Sequence, residues 1–253
     1  MRTEYDDLDA AVRLPDRVSR VVCLVPSLTE AVASVDRTAL VGVTDWCTHP
    51  ADLDVTRVRG TKNPDLAAIS ALRPDVVIAT KEENRELDVR RLREAGVSVW
   101  VTDIESVPDA IASMERLFDV VLRWPRPDWL SRSRALWCGD LPPVRATTAT
   151  AIWRDPWMVV GRDTFTGDLL ARVGLPNVFA DHAERYPRVT VSDIEGRRPG
   201  VVLLPDEPYE FGPADGPEAF RLPTHLLEGR LITWYGPSLL EAYETLSECR
   251  PGT

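Results

Sequence analysis

Histidine is scarce in this chain, with three in 253 residues, and cysteine is almost as rare, with four. The cysteines, Cys23, Cys47, Cys138 and Cys249, are widely spaced and form no C-x-x-C pair. That excludes a four-cysteine zinc site and leaves free thiols as the expected state. Glycine-rich phosphate fingerprints are absent, both G-x-G-x-x-G and G-x-x-x-x-G-K-S/T. A G-x-S-x-G nucleophile elbow is absent too. These gaps argue against a common nucleotide enzyme or serine hydrolase. No apolar run is longer than a strand, so no membrane-inserted helix is expected. Basic residues number 30 against 40 acidic ones, for a net charge of -10. Nucleic acid is therefore excluded as a partner, because a basic face supplies most of that attraction. The N-terminus, MRTEYDDLDAAVRLPDR, lacks an apolar segment and carries four acids in its first nine residues. It reads as neither signal peptide nor transmembrane helix, and a cytoplasmic location is expected.

What is present is an α/β rhythm. Arg20 to Val25 is a continuous apolar run, as in a strand buried on both faces. Ser27 and Glu30 have the spacing of a capping box for the next helix. Strands are expected at Leu40–Thr44, Val76–Ala79 and Val97–Val101. Helices are expected at Asp65–Leu72 and from a cap at Asn84 to Glu94, ended by Gly96. The second half repeats the pattern. It has strands at Thr148–Trp153, Val201–Leu204 and Leu231–Tyr235, and helices at Thr166–Val173, Val191–Arg197 and Ser238–Cys249. Pro205 to Pro223 reads as a loop. Between the halves, Ser106 to Gly139 is helical, with Pro125 and Pro127 breaking it. An internal match supports two related lobes. Ile69, Arg73-Pro74 and Val76-Val77 recur at identical spacing as Ile194, Arg198-Pro199 and Val201-Val202. The expected fold is α/β, with two Rossmann-like lobes of parallel sheet joined by a helical backbone. Its parts are an extension at 1–18, a lobe at 19–124, a connector at 125–145 and a second lobe at 146–253.

Ligands of open α/β sheets sit at the carboxyl ends of the strands. Those loops carry the unusual residues: Pro26 and Ser27, Asp45 to Pro50, Trp153 to Trp157, Asp206 to Phe211, and Trp234-Tyr235. Aromatic rings there suit a large, flat, partly apolar ligand. The plain alternative is that the tryptophans pack the lobes or the connector. Asp45, Cys47 and His49 form a D-x-C-x-H cluster that offers donors for a metal, but a polar loop with a buried thiol fits equally. Cys47 and His49 lack an orienting third group for a nucleophile and base pair. Asp163 to Asp168 resembles the start of a helix, whose free N–H groups could receive an anion or simply be capped. His182 and His225 lie in polar, solvated stretches.

With these residues in view, the chain resembles the helical-backbone (class III) substrate-binding proteins of metal-chelate ABC importers, above all the cobalamin-binding branch. The matching stretches are Arg20 to Glu30, Val41 to Pro50, Leu66 to Ile78 and Gly161 to Val178, with Tyr186-Pro187 and Trp234-Tyr235. The likeness covers most of residues 18–249. It implies two lobes on a rigid helix with the ligand clamped between them, Trp46 and Tyr186 as cleft aromatics and Trp157 in a loop approaching the ligand. Several positions depart from the pattern. Ala67 and Ser192 stand where the family has permease-docking glutamates, Thr61 where it has a cleft aromatic, and Thr233 and Pro237 where it has an Asp/Arg pair.

The reading is a binding protein, not an enzyme, for a cobalamin-like, heme-like or siderophore-like metal chelate, with no intrinsic cofactor, no metal of its own and no catalytic residue. Its expected ligand contacts are Pro26, Ser27, Trp46, Cys47, His49, Trp153, Arg154, Trp157, Tyr186, Tyr209, Trp234 and Tyr235. The alternative is a cytoplasmic enzyme or cofactor-handling protein on the same frame, with chemistry near Asp45, Cys47 and His49.

Overall fold

A computed structural model describes residues 1–248. The chain divides into two compact units. Unit 1 holds Met1–Ile104, Asp109–Arg132 and Tyr235–Pro237. Unit 2 holds Glu105–Pro108, Ser133–Trp234 and the chain from Ser238 on.

Unit 1 opens with a hairpin, β1 (Arg2–Tyr5) and β2 (Ala11–Leu14). The acids that made this stretch look like a tail are what fix it. Asp6 is buried, accepts from the Leu8 and Ala10 amides, and takes Arg93 Nη2 at 2.6 Å. Asp7 binds Ser113 and Arg116.

A five-stranded sheet follows: β3 (Val21–Cys23), β4 (Leu40–Val43), β5 (Thr56–Arg57), β6 (Val76–Thr80) and β7 (Val99–Thr102). All pairings are parallel and the spatial order is β5-β4-β3-β6-β7. β3, β6 and β7 are buried throughout, as expected of strands covered on both faces. Three helices connect the strands: α1 (Pro26–Asp36), α2 (Leu66–Ala71) and α3 (Glu86–Glu94). Ile69 of α2 and Val89 and Leu92 of α3 join Val22, Val77 and Val99 in one core.

Two expected caps are corrected here. Pro26 is itself the first residue of α1, where its fixed φ suits a helix and its missing N–H costs nothing. The N-cap is Val25 and no side chain caps it, so Ser27 is inside the helix. Asn84 lies one residue outside the α3 cap, which is Arg85. Its amide bridges strands and loops instead, as described below.

The helical stretch between the halves is not one helix. α4 (Val107–Arg116) widens into a π turn over Leu117–Leu122, then stops at Arg123 in the left-handed region (φ 55°). Pro125 and Pro127 follow, and α5 (Asp128–Trp137) begins anew. Trp129 donates to Ser34 Oγ at 2.9 Å within unit 1. Trp137 donates to Leu239 O at 2.9 Å within unit 2.

Among its described residues unit 2 has four strands, β8 (Thr148–Trp153), β9 (Met158–Val159), β10 (Val201–Pro205) and β11 (Thr224–Leu227), in the order β11-β10-β8-β9. β8, β10 and β11 run parallel, while β9 folds back antiparallel on β8. Its helices are α6 (Phe165–Arg172), α7 (Val191–Gly196), α8 (Arg230–Thr233) and α9 (Ser238–Glu248). The expected end of the last helix, Cys249, lies outside the described residues. The strand expected at Leu231–Tyr235 is corrected: Arg230–Thr233 is a helical turn and the last strand is Thr224–Leu227. Gly229 starts that turn packed so closely on Glu207 that a Cβ would lie 2.3 Å from its Cγ. Tertiary packing has overridden the β-branched and aromatic composition.

The internal repeat is visible as geometry. Ile69 and Ile194 are buried in α2 and α7. Arg73 and Arg198 both have positive φ, 48° and 53°. Each is followed by proline and then by the strand that pairs with its unit's first sheet strand.

Candidate functional site

In unit 1 the chain runs one way from β3 to β4 and β5, and the other way to β6 and β7. The strand order therefore reverses between β3 and β6, and outside their carboxyl ends lies the usual ligand crevice of such sheets. Here the chain's own Tyr235 fills it. The phenol hydroxyl lies among the hydroxyls of Ser27 after β3, Thr80 at the end of β6 and Thr102 at the end of β7. All four residues are buried. Burial, with Glu83 nearby, holds this phenol well above the ordinary tyrosine range. Pro26, Ser27 and Tyr235 thus come together, but as packed interior.

Beside the crevice, Thr44 to Cys47 forms a turn closed by Cys47 N to Thr44 O at 3.2 Å. Cys47 is buried, and its sulfur meets Thr29 Oγ1 at 3.1 Å and Thr44 Oγ1 at 3.2 Å. Burial raises the thiol, against the opposing pull of those hydroxyls. Cys23 next to it is pushed up to about 12, chiefly by burial and then by Cys47. Neither sulfur is the accessible thiolate a nucleophile needs. His49 Nδ1 sits 3.1 Å from its neighbour Thr48 Oγ1. Among the described residues, no three His, Cys, Asp or Glu side chains cluster to hold a metal.

With Cys47 anchored inward, the turn points Trp46 outward, and its side chain is 65% exposed. Behind it lies the 59–63 loop. Asp45 N donates to Arg59 O at 2.9 Å, and Gly60 lies so close that a Cβ there would be 3.3 Å from Trp46 Nε1.

The carboxyl edge of unit 2 is different. Trp157 stacks on Phe211, with ring centroids 5.7 Å apart at 7°, and meets Phe220 edge-on at 5.1 Å. Tyr209 contacts Phe211 at 4.6 Å and Trp153 at 5.6 Å. Arg154 lies over Trp157, 5.5 Å from the ring, and pairs with Asp215 and with Glu218 Oε1 at 2.5 Å. Tyr209 also donates to Asp215 Oδ2 at 2.7 Å. The Tyr209 and Arg154 bonds hold the Asp215 carboxyl below its usual range, and Arg154 does the same for Glu218. Four expected residues, Trp153, Arg154, Trp157 and Tyr209, are therefore one cluster, of which Trp153 is the most exposed indole at 44%. Tyr186 lies beneath the Arg185 guanidinium. Trp234 is buried beside Arg230. The α6 start is capped, Thr164 accepting from Gly167 N.

Arg57, not singled out in the sequence, and Asn84, expected only as a helix cap, belong to the Trp46 edge. Arg57 Nη1 donates to Thr44 O and Cys47 O, both at 2.9 Å. Only their contacts reveal this role, since an arginine in a short strand carries no motif and an asparagine before a helix reads as a cap.

Two units, each with a mainly parallel sheet flanked by helices and with aromatic residues on carboxyl-edge loops, have the fold of the class III periplasmic binding proteins. No protein-family model matches the chain. The vitamin B12-binding protein of Salmonella typhi is 25% identical over 198 residues, spanning 73% of this chain and 71% of that one. The solved periplasmic vitamin B12-binding protein of Vibrio cholerae superposes with a TM-score of 0.71 at 18% identity, covering 92% of this chain and 96% of that one. A periplasmic heme-binding protein of Pseudomonas aeruginosa gives 0.72 at 22% identity, covering 93% and 95%. The resemblance to the helical-backbone family stands on these likenesses.

Proposed function

We propose that this chain is a binding protein for a metal chelate of the cobalamin or heme kind, and that it holds its ligand without chemistry. One observation carries the reading. Trp46 is a large indole left exposed on a tight, hydrogen-bonded turn at a sheet's carboxyl edge. A rigid exposed ring suits the face of a planar macrocycle, because little side-chain freedom remains to be lost on binding. The curated and solved relatives that bind vitamin B12 or heme support the same ligand class. The buried Cys47 thiol supports the absence of chemistry. Permease docking is not part of the proposal, since Ala67 and Ser192 occupy the first turns of α2 and α7. A cytoplasmic location accompanies it, to be checked by cell fractionation.

Titrating the purified protein with aquacobalamin, hemin and a ferric siderophore tests the reading. Saturable binding of one of them with a shift of its visible bands is expected. Absence of binding to all three, with a small organic molecule copurifying instead, would overturn it.

A further inference from the structure

We infer that Arg57 and Asn84 are positioning residues that pre-form the Trp46 platform, so that the ring is set before any ligand arrives. The inference rests on the proposed function only for the meaning of the platform, not for its geometry.

Arg57 works from below. One nitrogen, Nη1, donates to both carbonyls that flank the turn, Thr44 O and Cys47 O, and Nη2 donates to Leu53 O at 3.4 Å. A guanidinium fixes several acceptors in one plane, which a lysine ammonium cannot reproduce. Asn84 works from behind and is buried. Its Oδ1 accepts from Thr80 N at 2.8 Å, and its Nδ2 donates to Thr61 O at 2.9 Å. It thereby ties the 59–63 loop to the end of β6. That loop in turn supports the indole through Gly60 and holds Asp45 N through Arg59 O. Trp46 is thus caught between a turn braced by one side chain and a loop braced by the other. Two different chain segments, each fixed by a side chain bonded to backbone, converge on one exposed ring. For an ordinary exposed tryptophan no such support is needed. A pre-set ring loses less freedom when a ligand binds, so the braces act on affinity.

Asn84→Asp keeps an acceptor for Thr80 N, loses the donor to Thr61 O and sets a carboxylate oxygen against that carbonyl. Arg57→Lys keeps the charge and loses the shared geometry. Both are compared with wild type by thermal melting, by the 15N–1H indole cross-peak of Trp46 (assigned by its loss in Trp46→Phe), and by chelate titration. The expected result is a broadened or shifted Trp46 cross-peak without ligand. The other indole peaks should hold, the melting temperature should fall by only a few degrees with the protein still folded, and affinity should fall about tenfold, as for one charged or buried hydrogen bond. Gly60→Ala, whose Cβ would press on Asn63 and Trp46, should move the same peak. An unchanged Trp46 peak in folded Asn84→Asp and Arg57→Lys would overturn the inference. If no chelate binds the wild type, the ligand reading fails while the indole measurement still decides the braces.

Discussion

The two units solve the same problem differently. Each has a parallel sheet whose carboxyl edge must be filled. Unit 1 fills its crevice with hydroxyls, that of Tyr235 lying among those of Ser27, Thr80 and Thr102. Its one exposed indole, Trp46, stands outside that crevice on a braced turn. Unit 2 fills its edge with rings, Trp157 against Phe211 and Phe220, with Tyr209 and Trp153 at the margin. Ions seal it, Arg154 against Asp215 and Glu218. The difference shows that an aromatic residue at a sheet edge is not thereby a ligand contact. In unit 2 the rings touch one another, Phe211 buried and Trp153 at the rim, whereas Trp46 stands exposed on its own turn.

Mutation can break that comparison at several depths. Tyr235→Ala removes a buried ring from the unit 1 crevice and should cost about 3–5 kcal/mol, as for other large buried aromatics. Urea denaturation checks it, and a cost below about 1 kcal/mol would mean that the phenol is not structural. Trp157→Ala should cost about 2–3 kcal/mol through lost area and ring contacts, whereas Trp153→Ala, at the exposed margin, should cost less than about 1 kcal/mol. Equal costs would refute the division of that cluster into interior and rim. Tyr235→Phe keeps the ring and removes the shared hydroxyl, for about 1–2 kcal/mol.

Acid should loosen unit 2 at its seal. Asp215 and Glu218 have carboxyl pKa values lowered on folding, so their contribution is complete above the ordinary carboxylate range. It is lost as pH falls below about 4 and through the lowered folded values. Tryptophan emission around Trp157 should change across that acid range in wild type. Arg154→Met should abolish that titration. A titration persisting unchanged in Arg154→Met would remove the seal from the explanation.

Much of the frame was legible in the sequence because its signals are local. The buried run at Arg20 to Val25, the Arg-Pro-x-Val-Val repeat and the prolines at 125 and 127 each act within a few residues. Asp65 and Thr190 cap α2 and α7 where the pattern placed helices. What was not legible depends on partners far along the chain. The strand reading of Leu231–Tyr235 failed because Gly229 packs on Glu207, more than twenty residues away. The acidic N-terminus hid a hairpin because the partner of Asp6 is Arg93. At the candidate site, Trp46 could be named from its loop. That Ser27 would be shared with Tyr235, over two hundred residues on, could not.

On the proposed function Trp46 is a surface for a ligand and not part of the interior. The most direct test of that claim is one variant measured twice. Trp46→Ala should leave the urea midpoint within about 0.5 kcal/mol of wild type, as for an exposed side chain. The same variant should weaken binding of the chelate that wild type takes up by about thirtyfold or more, the scale of an interface hot spot. A variant that loses stability but keeps its affinity would contradict the claim and return Trp46 to the ordinary packing of unit 1.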